Sequence, residues 1–148
     1  NHYAYNSGCM KADSYLNKFF LKFWADIYPE YHYWFEFADY KAANKSHYAF
    51  YQKYSDRFVS SYAGSHPAED FAESFRAFIL WDDELIDNYK KWCSTVGDNG
   101  WHLILEDGLT NWQWCKVYPD NSMWEEKVRF FYDFPELVEM RDFIRSNL

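Results

Sequence analysis

The chain has 148 residues, 49% of them apolar and 24% aromatic, with a formal net charge of −8 and a pI near 5.0. That length and aromatic share allow one packed core and exclude a disordered chain, because disordered segments are poor in aromatic rings. The acidic balance disfavours nucleic acid as a partner, and no apolar run approaches the roughly 20 residues of a transmembrane segment.

From Asp13 to Tyr28 the residues Leu16, Phe19, Phe20, Phe23, Trp24 and Ile27 recur at three-and-four spacing. This predicts a helix capped by Asp13 or Ser14 and stopped by Pro29. The aromatic run YHYWFEFADY that follows leaves its own secondary structure open. A second helix is expected from Asn44 to Tyr54, with His47, Phe50, Tyr51 and Tyr54 on one side. After a loop from Ser55 to His66, Pro67 suits the first position of a third helix, whose first turn carries Glu69 and Asp70. Phe71, Ala72, Phe75, Phe78 and Ile79 are its expected buried stripe, with Glu69, Glu73 and Arg76 on the other side.

Residues 82–120 read as an insertion of mixed structure, rich in Trp, with a hairpin at HLILEDGLTNWQW turned by Asp107-Gly108. Ser122 with Glu125 three residues on predicts a capping box and a further helix. Pro135 then opens a last helix with Leu137, Val138, Met140 or Arg141, and Ile144 facing inward. The expected fold is mainly α: one helical subdomain over 1–148, with 82–120 inserted in it. Of the three cysteines, Cys93 and Cys115 are a candidate disulfide, and buried reduced thiols for Cys9, Cys93 and Cys115 are the equal alternative.

The segment FVSSYAGSHPAEDFAESF, residues 58–75, carries the most chemistry. A zinc hydrolase takes three protein ligands and leaves one position open. In one large class two of these are histidines of HExxH on a helix, and the third is a carboxylate from a later helix. A carboxylate in a first turn, a tyrosine in the preceding loop and a glutamate one turn further on suit the later half of such a site. Plainer readings stand beside it. Acids favour helix starts for dipole reasons alone, Glu73 and Arg76 fit a surface ion pair, Tyr62 fits a core ring, and His66 fits a helix cap or rim.

Taken together, Tyr62, His66-Pro67, Glu69-Asp70-Phe71-Ala72-Glu73 and the continuing Ser74-Phe75-Arg76 resemble the gluzincin-type zinc metallopeptidases related to the catalytic domain of anthrax lethal factor. The early SYLNKFFLKFW and the closing FFYDFPELVEMRDFIRSNL are similar to the helical C-terminal part of bacterial members. The resemblance implies Glu69 as third Zn(2+) ligand, Tyr62 as the catalytic residue that stabilises the oxyanion, and Glu73 as a hydrogen-bond partner of a zinc-bound histidine. It also implies a peptide or protein substrate and a secreted or cell-surface bacterial protein.

The departure is that none of the five histidines, His2, His32, His47, His66 and His102, forms HExxH. Asn1 is not an initiator methionine, and the expectation is a chain truncated at its N-terminus whose partner is a missing HExxH segment. Alone it should hold zinc weakly or not at all and be inactive. The alternative is a non-catalytic module that binds glycan or protein through the insertion, with Trp92, Trp101, Trp112, Trp114 and Trp124 as its contact face or, more plainly, as core. Asp82, Asp83 and Glu84 suggest a glycosidase pair only weakly, because neighbours on a helical turn point apart.

Overall fold

The computed structural model describes the backbone of residues 4–5, 8–37, 40–96, 101–106, 109–114 and 122–148, and the side chains of 10–33, 47–84, 86–88, 90–91 and 122–148. The chain is mainly helical, as expected, and divides into two compact units, Asn1–Ala72 and Glu73–Leu148. In the first unit, two-residue strands β1 (Ala4–Tyr5) and β2 (Gly8–Cys9) pair antiparallel ahead of helix α1 (Tyr15–Phe23). The Ser14 hydroxyl caps α1 by accepting the Asn17 N–H at 3.1 Å, so Ser14 rather than Asp13 is the cap.

Pro29 does not stop this helix. α1 already ends at Phe23, and Pro29 is the second residue of helix α2 (Tyr28–Phe37). A proline lacks the N–H that the first turn of a helix leaves unpaired anyway, so it starts one at no cost. The aromatic run whose structure the pattern left open is thus largely α2. Helix α3 (Tyr40–Lys53) follows, starting earlier than Asn44.

The core of this unit is aromatic. Phe19, Phe20, Phe23, Trp24 and Ile27 are buried, as their spacing predicts, together with Tyr31, Phe50 and Phe58. Trp24 is its hub: its ring meets Tyr31 edge-on at 5.3 Å, lies along Phe50 at 6.0 Å and tilts against Phe58 at 5.5 Å. Ion pairs Glu30–Lys53 and Asp26–Arg57 stand at the periphery, where one partner of each, Lys53 and Asp26, is exposed, and such pairs add little.

Helix α4 (Pro67–Leu80) runs from the first unit into the second. In the second unit it is followed by α5 (Asp83–Val96), the hairpin β3 (Trp101–Glu106) and β4 (Leu109–Trp114), α6 (Met123–Phe130) and α7 (Pro135–Ser146). The hairpin register pairs Glu106 with Leu109, so two residues connect the strands, and these, Asp107 and Gly108, lie outside the described residues. Phe78 and Phe131 pack at 5.4 Å, Phe75 meets Phe131 at 5.2 Å, and Trp81 meets Trp124 edge-on at 6.1 Å.

Ser122 precedes α6 as expected, yet its hydroxyl makes no capping bond. The Glu125 carboxylate pairs with Lys90 instead, which removes the reciprocal half of the capping box. On α7, Leu137 is buried and Val138, Arg141 and Ile144 are partly so, whereas Met140 is exposed. Arg141 turns inward because it has carbonyls to bond. Its guanidinium donates to the oxygens of Phe78 at 2.7 Å and Trp81 at 3.1 Å, and lies over the Phe78 and Tyr132 rings. Arg145 donates to the carbonyls of Ile79 at 3.2 Å and Leu80 at 2.9 Å.

A helix leaves its last four carbonyls without intrahelical donors, and cations suit that end of the dipole. Two arginines of α7 therefore complete the C-terminal end of α4. Replacing Arg145 by Met should cost about 1–3 kcal/mol of stability, read as a lower urea midpoint, because two part-buried carbonyls lose their donor.

Candidate functional site

The loop before α4 is fixed by side chains that bond its backbone. Phe58 and Val59 are buried and anchor its start. A 3₁₀ turn over Ala63–Ser65 is closed by the Ser65 N–H on the Tyr62 carbonyl at 2.9 Å, and the Ser60 hydroxyl accepts the Ala63 N–H at 3.1 Å. The Tyr31 hydroxyl donates to the Ser65 carbonyl at 2.8 Å, which ties the loop to α2. The His47 Nε2, 3.1 Å from the Gly64 carbonyl, ties it to α3, and since a carbonyl only accepts, that nitrogen carries the proton. Gly64 allows this approach, because a Cβ there would lie 2.9 Å from Cδ2 of Tyr51.

His66 starts α4. Its carbonyl accepts the Asp70 N–H at 2.9 Å, and its Nδ1 accepts the Ala68 N–H at 3.1 Å, so an imidazole does the work usually done by Ser or Asp. Burial holds its pKa below the ordinary histidine value, opposed by the nearby Glu69 carboxylate. The cap reading of His66 is thereby the one the geometry shows.

Tyr62 stands at the head of the 3₁₀ turn with 57% of its surface exposed. Glu69 lies in the first turn of α4 and is partly exposed; among the described residues no hydrogen bond or ion pair engages its carboxylate. Glu73 lies one turn further along the same helix and is also partly buried.

The sequence pattern gives Asp70 a place in the first turn but no burial. Asp70 is fully buried, and its Oδ2 accepts the indole N–H of Trp24 at 2.7 Å. The buried side of α4 accordingly includes Asp70, Ser74, Ala77, Phe78 and Ile79, while Ala72, expected inside, is exposed. A buried indole needs an acceptor, and the carboxylate that supplies it turns the helix. The signal was present as Asp70, Ser74 and Ala77 at four-and-three spacing, a stripe that an apolar pattern does not weigh.

Zinc requires three protein donors, and among the described residues no group of three or more His, Cys, Asp or Glu could hold a metal ion. The Nδ1 of His66 is already engaged as a cap. The described residues thus do not form a zinc site by themselves, and Glu69 can supply one donor of three. Asp82 and Asp83 form ion pairs with Arg145 and Arg129. Trp124 is 1% exposed and belongs to the core, whereas the side chains of Trp92, Trp101, Trp112 and Trp114, like those of Cys9, Cys93 and Cys115, lie outside the described residues.

These features define a mainly helical protein that presents an exposed tyrosine from a hydrogen-bonded loop and a carboxylate from the first turn of the helix that follows. Residues 18–118 match the family described as "Putative zinc-binding metallo-peptidase", and the chain belongs to that family. Neither the curated proteins nor the solved structures include a match to the chain.

Two predictions follow from the start of α4. Trp24→Phe should cost about 1.5–3 kcal/mol in denaturant unfolding, since it removes a bond to a buried carboxylate. Asp70→Asn should cost less, because an amide oxygen still accepts the indole N–H. The lowered pKa of His66 sets a pH dependence of definite sign: the unfolded chain binds its proton first. Stability should fall as pH drops from the unfolded value near 6.5 to the depressed folded value, and no further from this group below it. Asp26 and Glu30, whose pKa values are lowered by Arg57 and by Tyr54 with Lys53, lose their contributions only at lower pH, below the ordinary values of 3.8 and 4.5. Thermal melts of His66→Asn should lack the upper step and keep the lower one.

Proposed function

We propose that this chain supplies the later half of a zinc peptidase active site, in the gluzincin arrangement that its Tyr62–Glu73 segment resembles. Glu69 is the third ligand, joined by two histidines of an HExxH helix from a segment outside these 148 residues. Tyr62 donates its phenol proton to the oxyanion that forms on the attacked carbonyl, and Glu73 accepts a hydrogen bond from the outer nitrogen of a ligating histidine. When bound in such a site, zinc polarises the carbonyl and lowers the pKa of a water molecule. The substrate is a peptide or protein, met outside the cell or at its surface. By itself the chain is inactive.

The observation that carries this reading is Glu69. Its neighbour Asp70 is consumed by the core, whereas Glu69 stays partly exposed in the positive end of α4, with no hydrogen bond or ion pair among the described residues. Membership of the zinc-binding metallo-peptidase family supports it. Asp70 positions Glu69 without touching metal or substrate, because its bond to Trp24 sets the rotation of the helix.

The test uses the longest natural form of the protein that contains this chain. Glu69→Ala should lose bound zinc, measured by elemental analysis, together with peptide hydrolysis. Tyr62→Phe should keep the metal and lower kcat by roughly 10²–10³, the usual effect of removing one oxyanion donor. Activity retained in Glu69→Ala would overturn the assignment.

A further inference from the structure

Within the first unit a pocket of about 380 Å³ opens between α3 and the loop that leads to α4. It is lined by His47, Tyr48, Tyr51, Ser61, Tyr62 and Ser65. Small-molecule sites span roughly 300–1,000 Å³, so this one takes a single side chain or a small ring rather than a long ligand. Tyr48 and Tyr62 are 66% and 57% exposed and offer their rings to an incoming group.

The walls are already in place. The His47 bond to Gly64, the Tyr31 bond to Ser65 and the close approach of Gly64 to Tyr51 hold α3 and the loop in register. A preformed pocket avoids much of the ordering cost of binding. Among the described residues its lining contains no carboxylate, ammonium or guanidinium, and burial raises the pKa of Tyr51, which keeps that phenol neutral.

We propose that this pocket is a subsite for an aromatic side chain of the peptide substrate, the residue adjacent to the bond that is cleaved. The inference rests on the reading of Tyr62 as the donor to the reacting carbonyl, because the same tyrosine lines the pocket and so sets seat and carbonyl side by side. Aromatic rings favour offset and edge-to-face contact with other rings, and three tyrosines supply it. Serine and histidine at the margin suit the hydroxyl of a tyrosine guest. A lysine or glutamate side chain would give up hydration without meeting an opposite charge among the described lining residues. Among the described lining residues a sugar would meet rings but no carboxylate or carboxamide to bond its adjacent hydroxyls, which argues for the peptide side chain over a glycan.

The experiment is a titration of the isotopically labelled chain with N-acetyl-L-tyrosinamide, N-acetyl-L-alaninamide, N-acetyl-L-lysinamide and cellobiose, followed by amide chemical shifts. Tyrosinamide should move resonances between His47 and Ser65 and bind about tenfold more tightly than the other three. Tyr48→Ala, at an exposed position on α3, should weaken it by roughly threefold to tenfold without lowering Tm, and Tyr48→Phe should restore it. Equal affinity for all probes, a preference for cellobiose, or shifts elsewhere in the chain would overturn the subsite.

Glu69→Gln should bind tyrosinamide as the unaltered chain does, which separates this inference from the metal reading. Lack of tyrosinamide binding, with zinc still lost from Glu69→Ala of the longer protein, overturns the subsite and leaves the ligand. Zinc retained in Glu69→Ala overturns the ligand and with it the peptide role of the pocket.

Discussion

The hydrogen bond from the Trp24 indole to the Asp70 carboxylate is the constraint on which the first unit depends. The tryptophan is the largest ring of that core and touches α2, α3 and the loop that follows through Tyr31, Phe50 and Phe58. Burying an indole without an acceptor, or a carboxylate without donors, carries a desolvation penalty that the bond between them offsets. The bond gives the indole its acceptor, and it holds the Asp70 side of α4 inward. The orientation of Glu69, the position beside Asp70, follows from that placement.

The far end of α4 is completed by different means. Arg141 and Arg145 cover the carbonyls of four residues, Phe78 to Trp81, and Arg141 also lies across two aromatic faces. Arginine suits this role because its planar head donates several bonds from one rigid fork. α4 is thus a helix whose start is set by a cap of unusual identity and a buried acid, and whose end is set by paired guanidiniums.

Much of this was legible in the sequence. The spacing of Phe19, Phe20, Phe23, Trp24 and Ile27 gave the core face of α1 even though the helix stopped sooner, because burial follows periodicity and helix ends follow local backbone bonds. Pro67 and Pro135 are legible as helix starts, whereas Pro29 looks like a stop because an apolar helical pattern runs directly into it; all three stand in the first turn of a helix. Tyr62 and Glu69 were legible as a loop tyrosine and a first-turn acid. Asp70 was not, since a pattern that scores apolar residues cannot anticipate an acid matched to an indole 46 positions away. The capping box at Ser122 failed for a similar reason, the competing claim of Lys90 on Glu125.

The polar contacts fall into two kinds that salt would tell apart. Lys53–Glu30, Arg57–Asp26 and Arg129–Asp83 each have at least one exposed partner, and mobile ions screen their attraction at physiological strength and above. The indole–carboxylate bond is buried, and the arginine–carbonyl bonds are part-buried, so counter-ions reach them poorly. In a saline surrounding the periphery would loosen first, while α4, held at both ends by contacts that depend little on ionic strength, would keep its place within each unit.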